Sequence, residues 1–150
     1  MENKKVKVFA PGTVANMGCG FDVMGMALDG VGDVLEVSFS EGDGLEICNE
    51  SGVELPSDLE KNVITPAVRA FMAAWGVKKS VHVKVLKKIL PGSGIGSSAA
   101  SSAAAVVGLN ELAGRPFTPE QLVVFAMEGE KLISGTAHAD NVAPAVLGGI

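Results

Sequence analysis

Between a valine-rich stretch and an alanine-rich one lies PGSGIGSSAASS, residues 91–102, and no other feature restricts the folds open to this chain as strongly. Before it, SVHVKVLKKIL at 80–90 sets Val81, Val83 and Val85 on one side and His82 and Lys84 on the other, the period of a strand. After it, an alanine-dense stretch runs to Gly114 and predicts a helix packed closely through small residues. Glycines at 92, 94 and 96 remove side chains where a backbone must wrap an anion, and the first N–H groups of the helix lack intrahelical acceptors. Ser97 and Ser98 add hydroxyls able to bond phosphate oxygens or a hard cation such as Mg²⁺.

Other uses of such a loop fit less well. Small residues can serve close helix–sheet packing alone, because a glycine run is a weak signal. A Walker A site needs Gly-Lys-Ser/Thr, which is missing. A dinucleotide fingerprint would need a glycine where Ser97 stands, and an acidic residue closing a second strand. Gly96-Ser97-Ser98-Ala99 imitates a hydrolase nucleophile elbow. The triad partners do not follow, since His138 precedes Asp140 by two positions and that carboxylate cannot easily orient that imidazole.

The rest of the chain supplies the elements around the loop. Residues 4–10 (KKVKVFA) alternate and predict a strand ending at Pro11-Gly12, followed by a loop marked by Gly12, Gly18 and Gly20. Residues 33–39 place Leu35, Val37 and Phe39 on one face, with 44–48 as a shorter partner strand, so the first third is expected to be antiparallel β. From Thr65 the period becomes helical through Val68, Phe71, Met72 and Trp75, with Pro66 in the first turn and Gly76 as the stop. Thr118 opens a last helix with Gln121 completing a capping box. Leu122, Phe125, Ala126, Leu132 and Ile133 form its expected buried stripe, and the closing LGGI predicts a turn into a further strand.

With 47% hydrophobic and 19% charged residues, the 150-residue chain can core one domain. A net charge of −5 with scattered lysines argues against a nucleic-acid partner. No run approaches the roughly 18 apolar residues of a membrane helix, and the N-terminus does not read as a signal peptide. Two cysteines, Cys19 and Cys48, make neither a disulfide framework nor a zinc site and fit a reducing compartment, hence the cytoplasm.

On three stretches the chain resembles the GHMP small-molecule kinases, and within them the homoserine kinase branch. PGSGIGSSAASSAA at 91–104 resembles the family's ATP-binding signature; VFAPGTVANMGCGFDVMGMAL at 8–28 and HADNVAPAVLGGI at 138–150 are similar to segments of that branch. The resemblance spans the whole chain. It implies an α+β fold like ribosomal protein S5 domain 2, with a left-handed crossover. Residues 1–150 would be the N-terminal ATP-binding domain, the C-terminal domain with the third motif and the carboxylate-binding residues being absent. The apolar face meant for that domain would be free to associate, and a homodimer is allowed.

The resemblance also implies roles. Pro91, Gly92, Ser93, Gly94, Ile95, Gly96, Ser97 and Ser98 would cradle the triphosphate of ATP, with Asn62 and Val63 edging the adenine pocket and Ser98 and Glu130 holding Mg²⁺. Asn16 and Asp22, with His138, Asp140 and Asn141, would bind L-homoserine, whose side-chain hydroxyl receives the phosphoryl group in a step of threonine biosynthesis. Asn141 and Asp140 are the catalytic candidates, and the asparagine implies transfer without a general base, since an amide cannot accept that proton. Plainer roles stand beside these. Glu130 can be a solvated carboxylate, Asn62 a cap, Asn16 and Asp22 turn residues, and Asp140 or Asn141 an N-cap. The alternatives at the level of function are another GHMP kinase and a non-catalytic nucleotide-binding or interaction module.

Overall fold

The computed structural model describes residues 4–150. Four strands, β1 (Lys5–Ala15), β2 (Gly25–Ser40), β3 (Leu45–Asn49) and β4 (Ser80–Lys87), form one sheet in the order β1-β2-β4-β3. Four helices, α1 (Ile64–Trp75), α2 (Ser97–Leu112), α3 (Pro119–Ser134) and α4 (Val142–Leu147), complete an α+β fold.

Alternation decides which face of the sheet is covered. Val8, Ala10, Leu35, Val37, Val81, Val83 and Val85 are buried on one face under the helices. The opposite face carries polar side chains in exposed pairs, the ion pairs Lys5–Glu36 and Lys84–Glu50 and the hydrogen-bonded His82 and Glu46. Such pairs contribute little to stability, so they keep that face wet rather than hold the sheet together.

α2 is the centre of the core. Its residues from Ala99 to Ala105 are buried on every side, as expected of a helix without an amphipathic face. Small side chains let it lie against β1 and β2, with α1 and α3 behind it. Phe71, Phe117 and Phe125 meet edge to face with centroids 4.9–5.9 Å apart and lock α1 to α3. α1 ends at Gly76, and α3 begins with the Thr118–Gln121 capping box, both as the sequence implies.

Five expectations need correction. β1 does not stop at Pro11-Gly12; it continues to Ala15, because residues 28–31 of β2 loop out opposite Gly12 and the pairing resumes at Thr13↔Ala27. β3 is no partner of β2: it lies parallel to β4, joined to it through α1, and the first third is therefore not a simple antiparallel meander. Leu132 and Ile133 are exposed rather than buried, since α3 has passed the edge of α2 by its last turn. The strand predicted over 80–90 ends at Lys87. The closing LGGI does not turn into a further strand: Leu147 ends α4, and the residues after it reach back, with Ala27 N–H donating to Gly149 O at 2.9 Å.

Candidate functional site

The loop between β4 and α2 turns through three glycines in the left-handed region, Gly92 (φ 79°), Gly94 (φ 79°) and Gly96 (φ 67°). Gly96 also has no room for a Cβ, which would overlap Thr13 Oγ1. The loop thus enters α2 with no side chain capping the helix. Ala100 N–H bonds Gly96 O at 2.9 Å, while the N–H groups of Ser97, Ser98 and Ala99 have no acceptor among the described residues. Three aligned donors at the positive end of a 16-residue helix make a receptor for an anion.

The residues bearing the first two of these donors, Ser97 and Ser98, line a cleft of about 300 Å³. Asn62 and Val63 form one wall, Pro91, Gly92, Gly94 and Gly96 the other, with Ser97 and Ser98 at the base. Leu55, Pro56 and Ile133 add an apolar edge suited to a flat ring, which gives the exposed Ile133 a use. Asn62 has two jobs, since its Oδ1 also accepts from Ile64 N–H at 3.0 Å and starts α1. Ser93 and Ile95 do not line the cleft: Ser93 N–H closes a turn on Leu90 O at 3.2 Å, and Ile95 O accepts from Thr13 N–H at 2.9 Å.

The two serines face different ways. Ser98 Oγ donates to Glu130 Oε1 at 2.6 Å, joining the start of α2 to α3. A hydroxyl and a half-buried carboxylate are the hard oxygen donors that Mg²⁺ accepts, with its other ligands drawn from phosphate and water. Glu130 is therefore not a free solvated side chain. Ser97 Oγ instead turns inward and donates to Ile89 O at 2.9 Å, so its hydroxyl is not offered to the cleft, only its N–H.

Beneath Ser97 lies a group the sequence reading missed. Asp33, fully buried, accepts from Ile89 N–H at 2.8 Å and Ser101 Oγ at 2.5 Å, and pairs with Lys88 at 3.0 Å. Lys88 Nζ also donates to Ser97 O at 2.8 Å and to Ser97 Oγ. All three ammonium protons are thus used, and the loop is tied from below to β2. Burial pushes the Lys88 pKa down, and the Asp33 charge and hydrogen bond only partly oppose it.

A second cleft, about 290 Å³, lies between the residue 16–24 loop and the start of α4, and Asp22 and Asp140 both line it. Asn16 (φ 58°) and Asp22 (φ 59°) hold left-handed backbones, and Asp22 N–H bonds Asn16 Oδ1 at 2.8 Å. Asn16 does order this turn, as its plainer role required, and in doing so fixes Asp22. His138 Nδ1 stands 4.0 Å from Asp22 Oδ1, bringing together two segments more than a hundred positions apart. Asn141 occupies the N-cap position of α4 but makes no capping bond; its Oδ1 accepts from Thr13 Oγ1 at 2.8 Å, beside Gly96. Asn141 therefore brings Asp140, which lines the second cleft, next to Gly96, which lines the first.

Gly25 makes this meeting possible, because a Cβ there would overlap the Asp140 carbonyl. Gly25→Ala is expected to lose about 1–3 kcal/mol in urea unfolding and to displace the Asp140 and His138 backbone amides in an NMR spectrum.

Among the described residues no helix is long and apolar enough to cross a membrane, and Cys19 and Cys48 are free and exposed. The family model "GHMP kinases N terminal domain" matches residues 62–149. Homoserine kinase from Natronomonas pharaonis is 44% identical over 144 residues, covering 96% of this chain and 47% of its own. The chain superposes on the crystal structure of homoserine kinase from Cytophaga hutchinsonii with TM-score 0.88 and 42% identity, over 97% of this chain and 47% of that one. With L. major mevalonate kinase the TM-score is 0.73 at 19% identity, a likeness of fold alone. The chain spans about half the length of the curated relatives it matches.

Proposed function

The chain belongs to the GHMP kinases, and from that premise we propose that residues 1–150 are the ATP-binding half of an enzyme that phosphorylates the side-chain hydroxyl of L-homoserine. The observation that carries this reading is the uncapped start of α2, with three N–H donors at the edge of a cleft lined by Ser97 and Ser98, beside the Ser98–Glu130 pair. Phosphoryl transfer asks a protein chiefly for positioning and charge neutralisation, and this arrangement offers both.

In this reading the adenine lies against Val63, Leu55 and Ile133, and the triphosphate runs along Gly92–Ser98 onto the helix N–H groups. Ser98 Oγ and Glu130 would hold Mg²⁺, which would supply neutralisation of the phosphate charge. The carboxylates of Asp22 and Asp140 suit the ammonium group of an amino acid, with Asn16 and His138 ordering that side. Asn141 reaches the acceptor hydroxyl. An amide cannot take up a proton at neutral pH, so the hydroxyl proton leaves with help from phosphate oxygens rather than from this side chain. ATP and L-homoserine are the partners, in the cytoplasm.

Release of ADP by the intact enzyme, followed in a coupled assay with MgATP and L-homoserine, mevalonate or galactose, tests the assignment. Turnover with homoserine alone is the expected result; turnover only with another alcohol, or none, would remove it. In the same assay Asn141→Ala should lower turnover more than Asp140→Asn. Loss of turnover in Asp140→Asn, with MgATP binding intact, would show that transfer needs a base.

A further inference from the structure

Thr13 has no place in the reading above, yet it touches both halves of the site. It is fully buried on β1, just past the point where the β1–β2 pairing is interrupted, and such interruptions re-aim side chains. Its N–H donates to Ile95 O at 2.9 Å in the phosphate loop, and its Oγ1 donates to Asn141 Oδ1 at 2.8 Å. One residue thus spaces the loop from the acceptor side.

The hydroxyl also decides which way the Asn141 amide faces. Its single proton has no other acceptor among the described residues. Turning the amide over would set NH₂ against the hydroxyl and leave that proton buried without a partner, which is costly. The Asn141 side chain makes no bond to α4 that would compete. With the carbonyl turned toward Thr13, the NH₂ group is the end of the amide directed away from it and toward a substrate.

We propose that Thr13 is a positioning residue that fixes Asn141 as a hydrogen-bond donor to the acceptor oxygen, and thereby selects a hydroxyl over a protonated amine. The inference rests on the phosphotransferase reading above. A hydroxyl oxygen has lone pairs for the amide NH₂ to bond, whereas an ammonium group on the same carbon has only donors and would leave that NH₂ without an acceptor.

The test uses the intact enzyme with MgATP and L-homoserine. Thr13→Val keeps the shape and removes the proton; Thr13→Ser restores it. Thr13→Val should lower kcat by roughly 10- to 100-fold, the scale of small misplacements at a reacting group, with KM for MgATP within about two-fold and Thr13→Ser close to wild type. Equal kcat in Thr13→Val and wild type would overturn the proposal, as would a loss confined to KM for MgATP or shared by Thr13→Ser. Should Thr13→Val fail to fold, Asn141→Asp answers separately. It replaces the donor by an acceptor-only carboxylate, so activity should be lost at neutral pH and return in part in acid, where the carboxyl can donate. Full activity of Asn141→Asp at neutral pH would sink the donor role. A wild-type enzyme inert toward homoserine would fail the functional reading instead, a result distinct from either.

Discussion

Asp33→Ala should destabilise the chain by about 3–5 kcal/mol, the cost of leaving a buried charge without its partner. Lys88 would remain enclosed, its ammonium still bonded to Ser97 but facing a cavity where the carboxylate had been. Urea unfolding at neutral pH measures the loss. The pH dependence identifies its cause. Burial already holds the Lys88 pKa below its ordinary 10.5, and removing Asp33 takes away the attraction that opposes this shift. As pH rises toward 10.5, folded Asp33→Ala sheds the Lys88 proton while the unfolded chain keeps it. The unfolded state then binds more protons, so stability of the variant rises with pH. The deficit relative to wild type should narrow on the alkaline side. A deficit independent of pH would mean that Asp33 acts through its bonds to Ile89 and Ser101 alone.

Glu130→Gln should have the largest effect on turnover. The substitution keeps the size and a hydrogen-bonding oxygen for Ser98 but removes the negative charge. A fall of roughly 10²- to 10³-fold is expected, the scale for losing one fixed group that stabilises charge during transfer. More Mg²⁺ should be needed for half-maximal activity. Because Glu130 is only half-buried and, among the described residues, its carboxylate is hydrogen-bonded to Ser98 alone, thermal stability should hardly change. A variant that loses stability and turnover together would make the carboxylate a packing residue.

The phosphate loop could be read from the sequence because local chemistry determines it. Three glycines, a valine-rich strand and an alanine-rich helix agree with one another, and no distant contact is needed to make sense of them. Resemblance assigned Ser98 and Glu130 to one metal ion and Asp22, His138 and Asn141 to one substrate. In the fold Ser98 bonds Glu130, His138 stands 4.0 Å from Asp22, and Asn141 lies beside Gly96, while the roles themselves are proposals. Asp33, Lys88 and Thr13 were missed for reasons local to each. β4 carries an extra residue between Val85 and Lys87 opposite Leu35 and Val34, which reverses the inward and outward parity beyond it. Strict alternation puts Lys88 on the wet face with His82 and Lys84; the bulge turns it inward. Thr13 lies beyond the interruption of β1, where alternation counted from Val8 no longer applies. A lone aspartate before a strand of Leu35 and Val37 gave no sign of a partner 55 positions on. The pairing of β3 with β4 was hidden as well, because sequence proximity favours the hairpin that the fold does not make. Leu132 and Ile133 continue a helical stripe beyond the end of the surface it packs on, which periodicity cannot reveal.

Grip of a polyphosphate by the backbone at the start of α2 is the claim on which the rest depends. Titrating the ¹⁵N-labelled chain with MgATP and following amide resonances tests it directly. The N–H signals of Gly92, Gly94, Gly96, Ser97, Ser98 and Ala99 should move together and saturate, with Asn62 and Val63 moving when the base is present and staying when tripolyphosphate replaces ATP. Shifts centred elsewhere, or none at these six amides at millimolar MgATP, would contradict the account.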